Sequence, residues 1–261
     1  MTDDRPALLE IHGLRHAWPG QPPLFDGLSL RLPAGLVRLE LEVGKTTLLA
    51  LMAGRLRPAA GRLCWQGRDW TPGTGTHAAG AAIPSQAPSS PSSTSSPPSS
   101  SSPPSSPSSP SPSTPSAPPA PPRPDRGPVD ICHPDARDPA LDALTPAGLC
   151  AAGAAAHPRH DPARWQALVA AFGLDAHAHK TLAMLSTGWR RKAVLCAALA
   201  HRAALTLLDE PTAGLDGPAL DVLARALEDA AAHARREDRL LVLAADWGLA
   251  SRLPSARVVA V

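Results

Sequence analysis

The sequence predicts an α/β fold built around a mostly parallel β-sheet. Two short apolar runs, residues 205–208 and 240–244, are typical of strands buried on both faces of such a sheet. Helix patterns separate these runs from one another and from earlier strand patterns, and this alternation implies parallel strands. Gly-Lys-Thr at 44–46 stands where a strand pattern changes to a helix pattern, a junction at which α/β proteins bind phosphate.

Composition and charge argue against several classes of protein. The chain has 261 residues and a formal net charge of +2, which gives no electrostatic reason to expect a nucleic-acid partner. Residues 1–5 carry no basic or apolar run, so we expect no secretory signal. No apolar stretch approaches the roughly 18–20 residues that cross a bilayer, so we expect membrane association only through a partner. Four scattered cysteines favour reduced thiols over a disulfide or zinc framework: Cys64, Cys132, Cys150 and Cys196.

The N-terminal part predicts four strands and one helix. Residues 8–12, 28–32 and 62–65 are short runs of apolar residues bounded by turn signals, and each predicts a strand. Residues 36–43, Leu-Val-Arg-Leu-Glu-Leu-Glu-Val, predict a further strand with its apolar side chains on one face. Residues 45–53 predict the helix that follows.

Serine and proline dominate residues 84–124. The segment has almost no large apolar residue to offset the entropy of ordering, so we predict that it is disordered. We expect a tolerated insertion in a surface loop, and the alternative is a proline tract that binds a partner.

The C-terminal part resumes the alternation of helices and strands. Residues 145–176 are alanine-rich and predict helices broken at Pro158 and Pro162. The other predicted elements are helices over 188–200 and 218–234 and a strand over 258–261.

The most informative segment is Leu-Leu-Asp-Glu-Pro-Thr-Ala-Gly-Leu-Asp at 207–216. An apolar strand here delivers Asp209 and Glu210 at its carboxyl end, where α/β sheets place ligands. One carboxylate can hold Mg²⁺, and the next can polarise a water for attack on phosphorus. An acidic turn after a core strand would explain the pair alone, but the whole string favours the functional interpretation.

Leu-Ser-Thr-Gly-Trp-Arg-Arg-Lys at 185–192 is the second informative segment. Ser186 and Gly188 precede a predicted helix, whose first N–H groups form an anion site. An ordinary serine cap would explain Ser186 alone. The position about twenty residues before the Asp-Glu pair favours the anion site.

Gly44-Lys45-Thr46-Thr47 is the third informative segment. In a phosphate-binding loop the lysine reaches the β- and γ-phosphates and the following hydroxyl holds Mg²⁺. A helix start with an exposed lysine is the alternative, and the position after a strand favours the loop.

These three motifs, in this order, resemble the ATP-binding subunit of ABC transporters. The resemblance covers nearly the whole chain except the Ser/Pro segment, and it implies a P-loop NTPase fold with a small antiparallel β-subdomain and a helical subdomain. It divides the chain into residues 1–83 and 185–261, which form the ATP-binding core, 84–127, which form the insertion, and 128–184, which form the helical subdomain.

The resemblance also implies roles for single residues in binding ATP and Mg²⁺. Trp18 would stack on adenine, and Gly44, Lys45, Thr46 and Thr47 would surround the phosphates. Thr46 and Asp209 would hold Mg²⁺, and Glu210 would be the general base. Ser186 and Gly188 would contact the γ-phosphate of ATP held by a second subunit, in a homodimer or heterodimer that drives a membrane-embedded partner at the cytoplasmic face.

Four departures from the family bear on hydrolysis. Leu39 stands where the phosphate loop G-x-x-x-x-G-K-[ST] has its first glycine. Cys132 or His133 stands where the family has a glutamine, and Thr187 and Trp189 replace a glycine and a glutamine in the second motif.

The fourth departure is Asp246, at the position of the family's switch histidine. At about 4 Å and an effective dielectric of about 20, repulsion between two unit charges is worth roughly 4 kcal/mol. Three functions therefore stay open at this point: an ATP-hydrolysing transporter subunit, a catalytically impaired module that pairs with a competent ATPase, and a decayed gene product.

Overall fold

The computed structural model describes residues 6–70, 129–244 and 247–261, which belong to one compact unit. The predicted disordered segment 84–124 lies outside the described residues. Among these described ranges, no helix is long and apolar enough to cross a membrane.

The described residues form nine strands and six α-helices. The strands are β1 (Ala7–Ala17), β2 (Pro23–Pro33), β3 (Gly35–Glu40), β4 (Ala60–Trp65), β5 (Arg68–Trp70), β6 (Ile131–Cys132), β7 (Leu205–Asp209), β8 (Leu240–Ala244) and β9 (Arg257–Ala260). The helices are α1 (Lys45–Met52), α2 (Pro146–Ala156), α3 (Pro162–Phe172), α4 (Thr187–His201), α5 (Gly217–Arg236) and α6 (Trp247–Ala250).

Two sheets organise these elements. The first is antiparallel, with the order β2-β1-β4-β5, and the second has the order β6-β7-β8-β3-β9 with every pair parallel. The predicted parallel core sheet and small antiparallel subdomain are therefore confirmed. Strands β3 and β7 are far apart in sequence but both pair with β8, which brings their carboxyl ends to one edge.

The parallel sheet separates two apolar cores because successive side chains of each strand point to opposite faces. Along β8, Leu240 and Val242 pack towards α1 and the antiparallel sheet, whereas Leu241 and Leu243 pack towards α2 to α5. Both faces of β8 are buried, as the apolar run in the sequence predicts.

The predicted helices agree closely with the structure, and the caps explain their ends. Each of α2, α3 and α5 begins with a proline near its first turn, after a residue whose side chain accepts a backbone hydrogen bond: Thr145, Asp161 and Asp216. One prediction is wrong in part, because the strand expected over residues 36–43 ends at Glu40.

A cluster of histidines joins the helical elements. His201, at the end of α4, stacks on His157 with 4.6 Å between ring centroids, and its Nδ1 lies 3.0 Å from Nδ1 of His160. His157 Nδ1 also lies 2.6 Å from a carboxylate oxygen of Asp130. Gly153 of α2 makes room for this packing, because a Cβ at that position would lie 1.8 Å from Cε1 of His201.

We expect Gly153→Ala to lower the free energy of unfolding by about 1–3 kcal/mol, since the added Cβ would overlap the buried imidazole of His201 and force this packing to shift. The matched control is Gly148→Ala in the same helix, where a Cβ would lie 3.5 Å from the nearest atom, the Thr145 hydroxyl. The control should gain about 0.5–1 kcal/mol from helix propensity. Chemical denaturation measures both, and equal stabilities would contradict the packing argument.

We also expect stability to fall in mild acid. Burial, reinforced by neighbouring charges, lowers the pKa of His201 to about 3 and that of His133 to about 4. The folded protein therefore holds both rings neutral while the unfolded chain takes up protons below its ordinary histidine pKa, so stability present above that pKa is lost as the pH falls. Each ring should cost about 2 kcal/mol between pH 7.5 and pH 5.

Denaturation of wild type and His201→Ala at the two pH values checks this expectation. The change in unfolding free energy between pH 7.5 and pH 5 should be smaller in His201→Ala than in wild type. Replacement of the exposed His179 is the control and should leave this change as in wild type. An equal change in wild type and His201→Ala would contradict the expectation.

Candidate functional site

The carboxyl edge of the parallel sheet brings two of the sequence motifs together. Asp209, the last residue of β7, pairs with Ala244 of β8, and Arg38 of β3 pairs with Leu243. The connection after β3 and the Asp209-Glu210 turn therefore lie at the same edge, with β8 between them. Ligands of open α/β sheets bind at such edges.

The connection from β3 to α1 is a four-residue loop, residues 41–44. Its sequence continues the strand pattern, but Val43 is 73% exposed and does not share the buried face that the pattern predicts. The physical reason is loss of neighbours, because β3 pairs with β8 only as far as Arg38 and with β9 only as far as Glu40. The loop therefore leaves the strand direction after Glu40, and it is shorter than the family pattern.

Gly44 ends this loop with φ 90°, a left-handed conformation that favours glycine. A Cβ at this position would lie 2.9 Å from the ring of Phe25 and 3.2 Å from Leu24, so glycine is also required by the close approach of β2. Neither Leu24 nor Phe25 belongs to a recognisable motif, and no signal in the sequence identifies them as neighbours of the loop.

The same contact relates Trp18 to the loop. Phe25 lies directly opposite His16 in the pairing of β1 with β2, and the ring of His16 meets Trp18 edge-on with 5.2 Å between centroids. Trp18 is 42% exposed, so an aromatic face is available for stacking. Sequence reasoning missed His16, whose buried Nε2 has no partner among the described residues.

The first turn of α1 carries Lys45, Thr46 and Thr47. Lys45 and Thr47 are half-buried and Thr46 is exposed. No side chain caps this helix, and among the described residues none forms an ion pair with Lys45. Free N–H groups and an uncompensated cation at a helix N-terminus suit an anionic ligand.

The two glutamates near the loop differ in their surroundings. Glu40 accepts a hydrogen bond from the buried Arg38 guanidinium at 2.6 Å, so its charge is compensated within β3. Glu42 is exposed. Glu42 is therefore the glutamate whose charge would be unfavourable beside a bound phosphate.

Asp209 and Glu210 occupy the turn after β7. Oδ1 of Asp209 is buried and has no hydrogen-bond partner in the described part of the chain. Since an unpaired buried carboxylate oxygen is costly, it fits the ligand set of a hard cation such as Mg²⁺. Glu210 has φ 42°, and its backbone N–H donates to the carbonyl of Ala244 at 2.8 Å.

The 185–192 motif leads into α4 and packs on the end of the 207–216 segment. Ser186 is the N-cap, and its hydroxyl accepts from the backbone N–H of Trp189 at 3.4 Å. Gly188 lies so close to the next loop that a Cβ would stand 2.6 Å from the carbonyl oxygen of Gly214. Thr187, which replaces a glycine of the family, is the first residue of the helix.

Trp189 and Lys192 occupy one side of α4. The indole meets the ring of His177 with 4.3 Å between centroids, and the Lys192 ammonium lies 4.2 Å above it. The same ammonium lies 3.2 Å from a carboxylate oxygen of Asp216. A backbone hydrogen bond from Ala219, and then Lys192, lowers the pKa of Asp216.

The remaining predicted positions are Asp246 and Cys132 or His133. Asp246 lies outside the described residues. Cys132 is buried in β6, and burial raises its pKa to about 12, so it is a neutral thiol. His133 follows β6, and its carbonyl accepts a hydrogen bond from Arg55, just beyond α1.

A profile of the ABC transporter family matches residues 43–213. The chain belongs to this family. The match confirms the family, the P-loop NTPase fold and the ATP-hydrolysing transporter function predicted from the motifs. It covers Gly44-Lys45-Thr46-Thr47, the second motif and the Asp-Glu pair.

Individual proteins agree with this family assignment. The cytochrome c biogenesis ATP-binding export protein CcmA of Bordetella parapertussis is 32% identical over 84% of this chain and 75% of its own length. A CcmA protein of Zymomonas mobilis is 37% identical over 31% of this chain and 35% of its own length. A solved ATP-binding subunit of an ABC transporter matches 97% of this chain and 85% of its own, with a TM-score of 0.65 and 17% identity.

We expect Gly188→Ala to force α4 away from the loop at Gly214 and to lower the free energy of unfolding by about 1–3 kcal/mol. Gly217→Ala is the matched control, because no atom lies within 4 Å of a Cβ at that position. Chemical denaturation compares the two variants. If Gly188→Ala is as stable as the control, the close approach does not constrain the motif.

Proposed function

We propose that this chain binds Mg²⁺-ATP at the carboxyl edge of its parallel sheet and hydrolyses it with Glu210 as general base. The observation that carries this proposal is that Oδ1 of Asp209, at the end of β7 and next to Glu210, is buried and has no hydrogen-bond partner among the described residues. A structural acidic turn would direct both carboxylates to solvent or to protein donors. An orphaned oxygen beside a candidate base instead suits a cation that accompanies a polyphosphate.

Phosphate binding is assigned to the start of α1. Lys45 supplies a cation without a competing carboxylate among the described residues, and the backbone N–H groups of Gly44 to Thr47 supply donors. Thr46 and Asp209 would hold Mg²⁺, which supplies charge neutralisation for the transferred phosphoryl group when it is bound. Trp18 stacks on the base.

Glu210 activates the attacking water in this mechanism. Its backbone N–H is tied to Ala244, and its left-handed conformation turns the side chain away from the path that an extended strand would give it. The carboxylate would accept a proton of the water as the water oxygen attacks the γ-phosphorus. The bond from that phosphorus to the β,γ-bridging oxygen breaks, which gives ADP and inorganic phosphate. A positioned general base contributes typically about 10²–10⁴-fold to such a step.

The second motif serves a neighbouring subunit. Ser186 and Gly188, at the N-terminus of α4, would contact the γ-phosphate of ATP held by another ATP-binding subunit, so that two ATP molecules lie between a head-to-tail pair. The positive end of the helix dipole at this helix start supports the assignment, because it favours an anion such as phosphate. A homodimer and a heterodimer both satisfy it.

The family and its named relatives support a proposal for the membrane partner, the location and the physiological role. We place the chain at the cytoplasmic face, attached to a membrane-embedded subunit. Because the relatives with 32% and 37% identity are named as export proteins of cytochrome c biogenesis, we propose export in that process as the physiological role.

Equilibrium binding of ATP with and without Mg²⁺ tests the site. We expect a dissociation constant between about 1 μM and 1 mM, weakened roughly tenfold or more in Lys45→Ala because a charge-assisted contact is lost. Lys180→Ala is the control lysine. Glu210→Gln should keep this binding while lowering kcat by about 10²-fold or more.

Two results would contradict the proposal in different ways. No binding at millimolar ATP would mean that the short loop does not hold phosphate and that the chain acts as a partner-dependent module. Binding with an unchanged kcat in Glu210→Gln would assign the base to another residue.

A further inference from the structure

Arg191 links the helix of the second motif to the turn that carries Glu210. It lies one turn into α4, and its Nη1 donates to the backbone carbonyl of Glu210 at 3.1 Å and lies 3.5 Å from that of Asp209. Its Nε is buried without a partner among the described residues. The site described above assigns no task to this guanidinium.

The turn at Glu210 needs such a restraint. A non-glycine residue with φ 42° lies in a left-handed conformation that L side chains rarely adopt, so the surrounding structure must stabilise it. Three hydrogen bonds do so. The backbone N–H donates to Ala244 of β8 at 2.8 Å, and the carbonyl accepts from Arg191 and from the backbone N–H of Ala213, each at 3.1 Å.

Charged side chains from two segments surround the Arg191 guanidinium. Burial, and secondly the charge of Arg137, lower its pKa, whereas Asp135, Glu210 and Asp209 raise it. Arginine stays protonated in proteins, so the guanidinium remains a cation between the segment after β6 and the turn after β7. A hydrogen bond from a cation to a carbonyl is stronger than one from a neutral donor.

The neighbouring Arg190 has a different set of partners. Its guanidinium donates to the carbonyls of Ala136 and Asp138 and to the carboxylate of Asp142, all of which precede α2. Arg190 therefore holds α4 to the segment after β6 and does not contact the Glu210 turn. Replacing Arg190 and replacing Arg191 should therefore break different sets of hydrogen bonds.

We propose that Arg191 is a positioning residue that holds the Glu210 turn in its left-handed conformation and so directs the Glu210 carboxylate. The inference rests on the proposed role of Glu210 as general base. If φ at Glu210 relaxes, the side chain swings away from the water that it must deprotonate. Ser186 and Gly188 lie at the start of the same helix. Arg191 therefore also connects the proposed contact of α4 with a neighbouring subunit to the general base of its own subunit.

The test compares Arg191→Met and Arg191→Lys with Arg225→Gln, a control at an exposed arginine of α5. Amide hydrogen exchange of the 207–216 segment is measured without nucleotide, followed by kcat and KM for Mg²⁺-ATP. The Glu210 amide should exchange about tenfold or more faster in Arg191→Met, since a charge-assisted bond that restrains the turn is lost. Arg191→Lys, which retains one cationic donor, should lie between this variant and wild type.

In the activity arm, kcat of Arg191→Met should fall by about tenfold or more while KM stays within about twofold, because Arg191 acts through Glu210 and not on nucleotide. A structural role alone would change thermal stability without this split and without rescue by lysine. Unchanged exchange at Glu210, or an equal loss in Arg225→Gln, would overturn the proposal.

The failure of the proposed function gives a different pattern. If wild type binds ATP without hydrolysing it, the role of Glu210 fails, whereas the exchange measurement still decides whether Arg191 holds the turn. If wild type hydrolyses ATP and Arg191→Met matches it in both kcat and exchange, only the inference about Arg191 fails.

Discussion

Parallel pairing of β8 with both β3 and β7 is the constraint on which the candidate site depends. Arg38 pairs with Leu243, and Asp209 pairs with Ala244, so the ends of β3 and β7 are nearly level on either side of one strand. Segments more than 150 residues apart in the chain thereby meet at one edge. Burial of β8 on both faces fixes this register, since a slip by one residue would exchange the side chains that face the two cores.

Much of the fold could be predicted from the sequence because local signals coincide with tertiary ones. The apolar runs that form β7 and β8 are short and continuous, as expected of strands covered on both faces. The prolines and capping side chains mark the starts of α2, α3 and α5. The family resemblance supplied the candidate residues, and the order of the motifs along the chain specified where each would lie.

What could not be predicted depends on partners that are distant in sequence. The strand pattern of residues 36–43 contains no sign that β3 ends at Glu40, because that end is set by where its neighbours stop pairing. Likewise, Phe25 reaches Gly44 only through the fold of β2. The contact of Arg191 with the Glu210 carbonyl is of the same kind, since a backbone acceptor leaves no mark on the sequence of its donor.

The short connection between β3 and α1 also has an entropic consequence. A phosphate loop whose whole G-x-x-x-x-G segment is free of the preceding strand offers more N–H donors, but it has more backbone freedom to lose when it wraps around a ligand. The four residues here are already confined by β3 on one side and by Phe25 and Leu24 against Gly44 on the other. If this loop binds phosphate, its smaller loss of conformational entropy would offset part of the affinity that the missing N–H donors would have supplied.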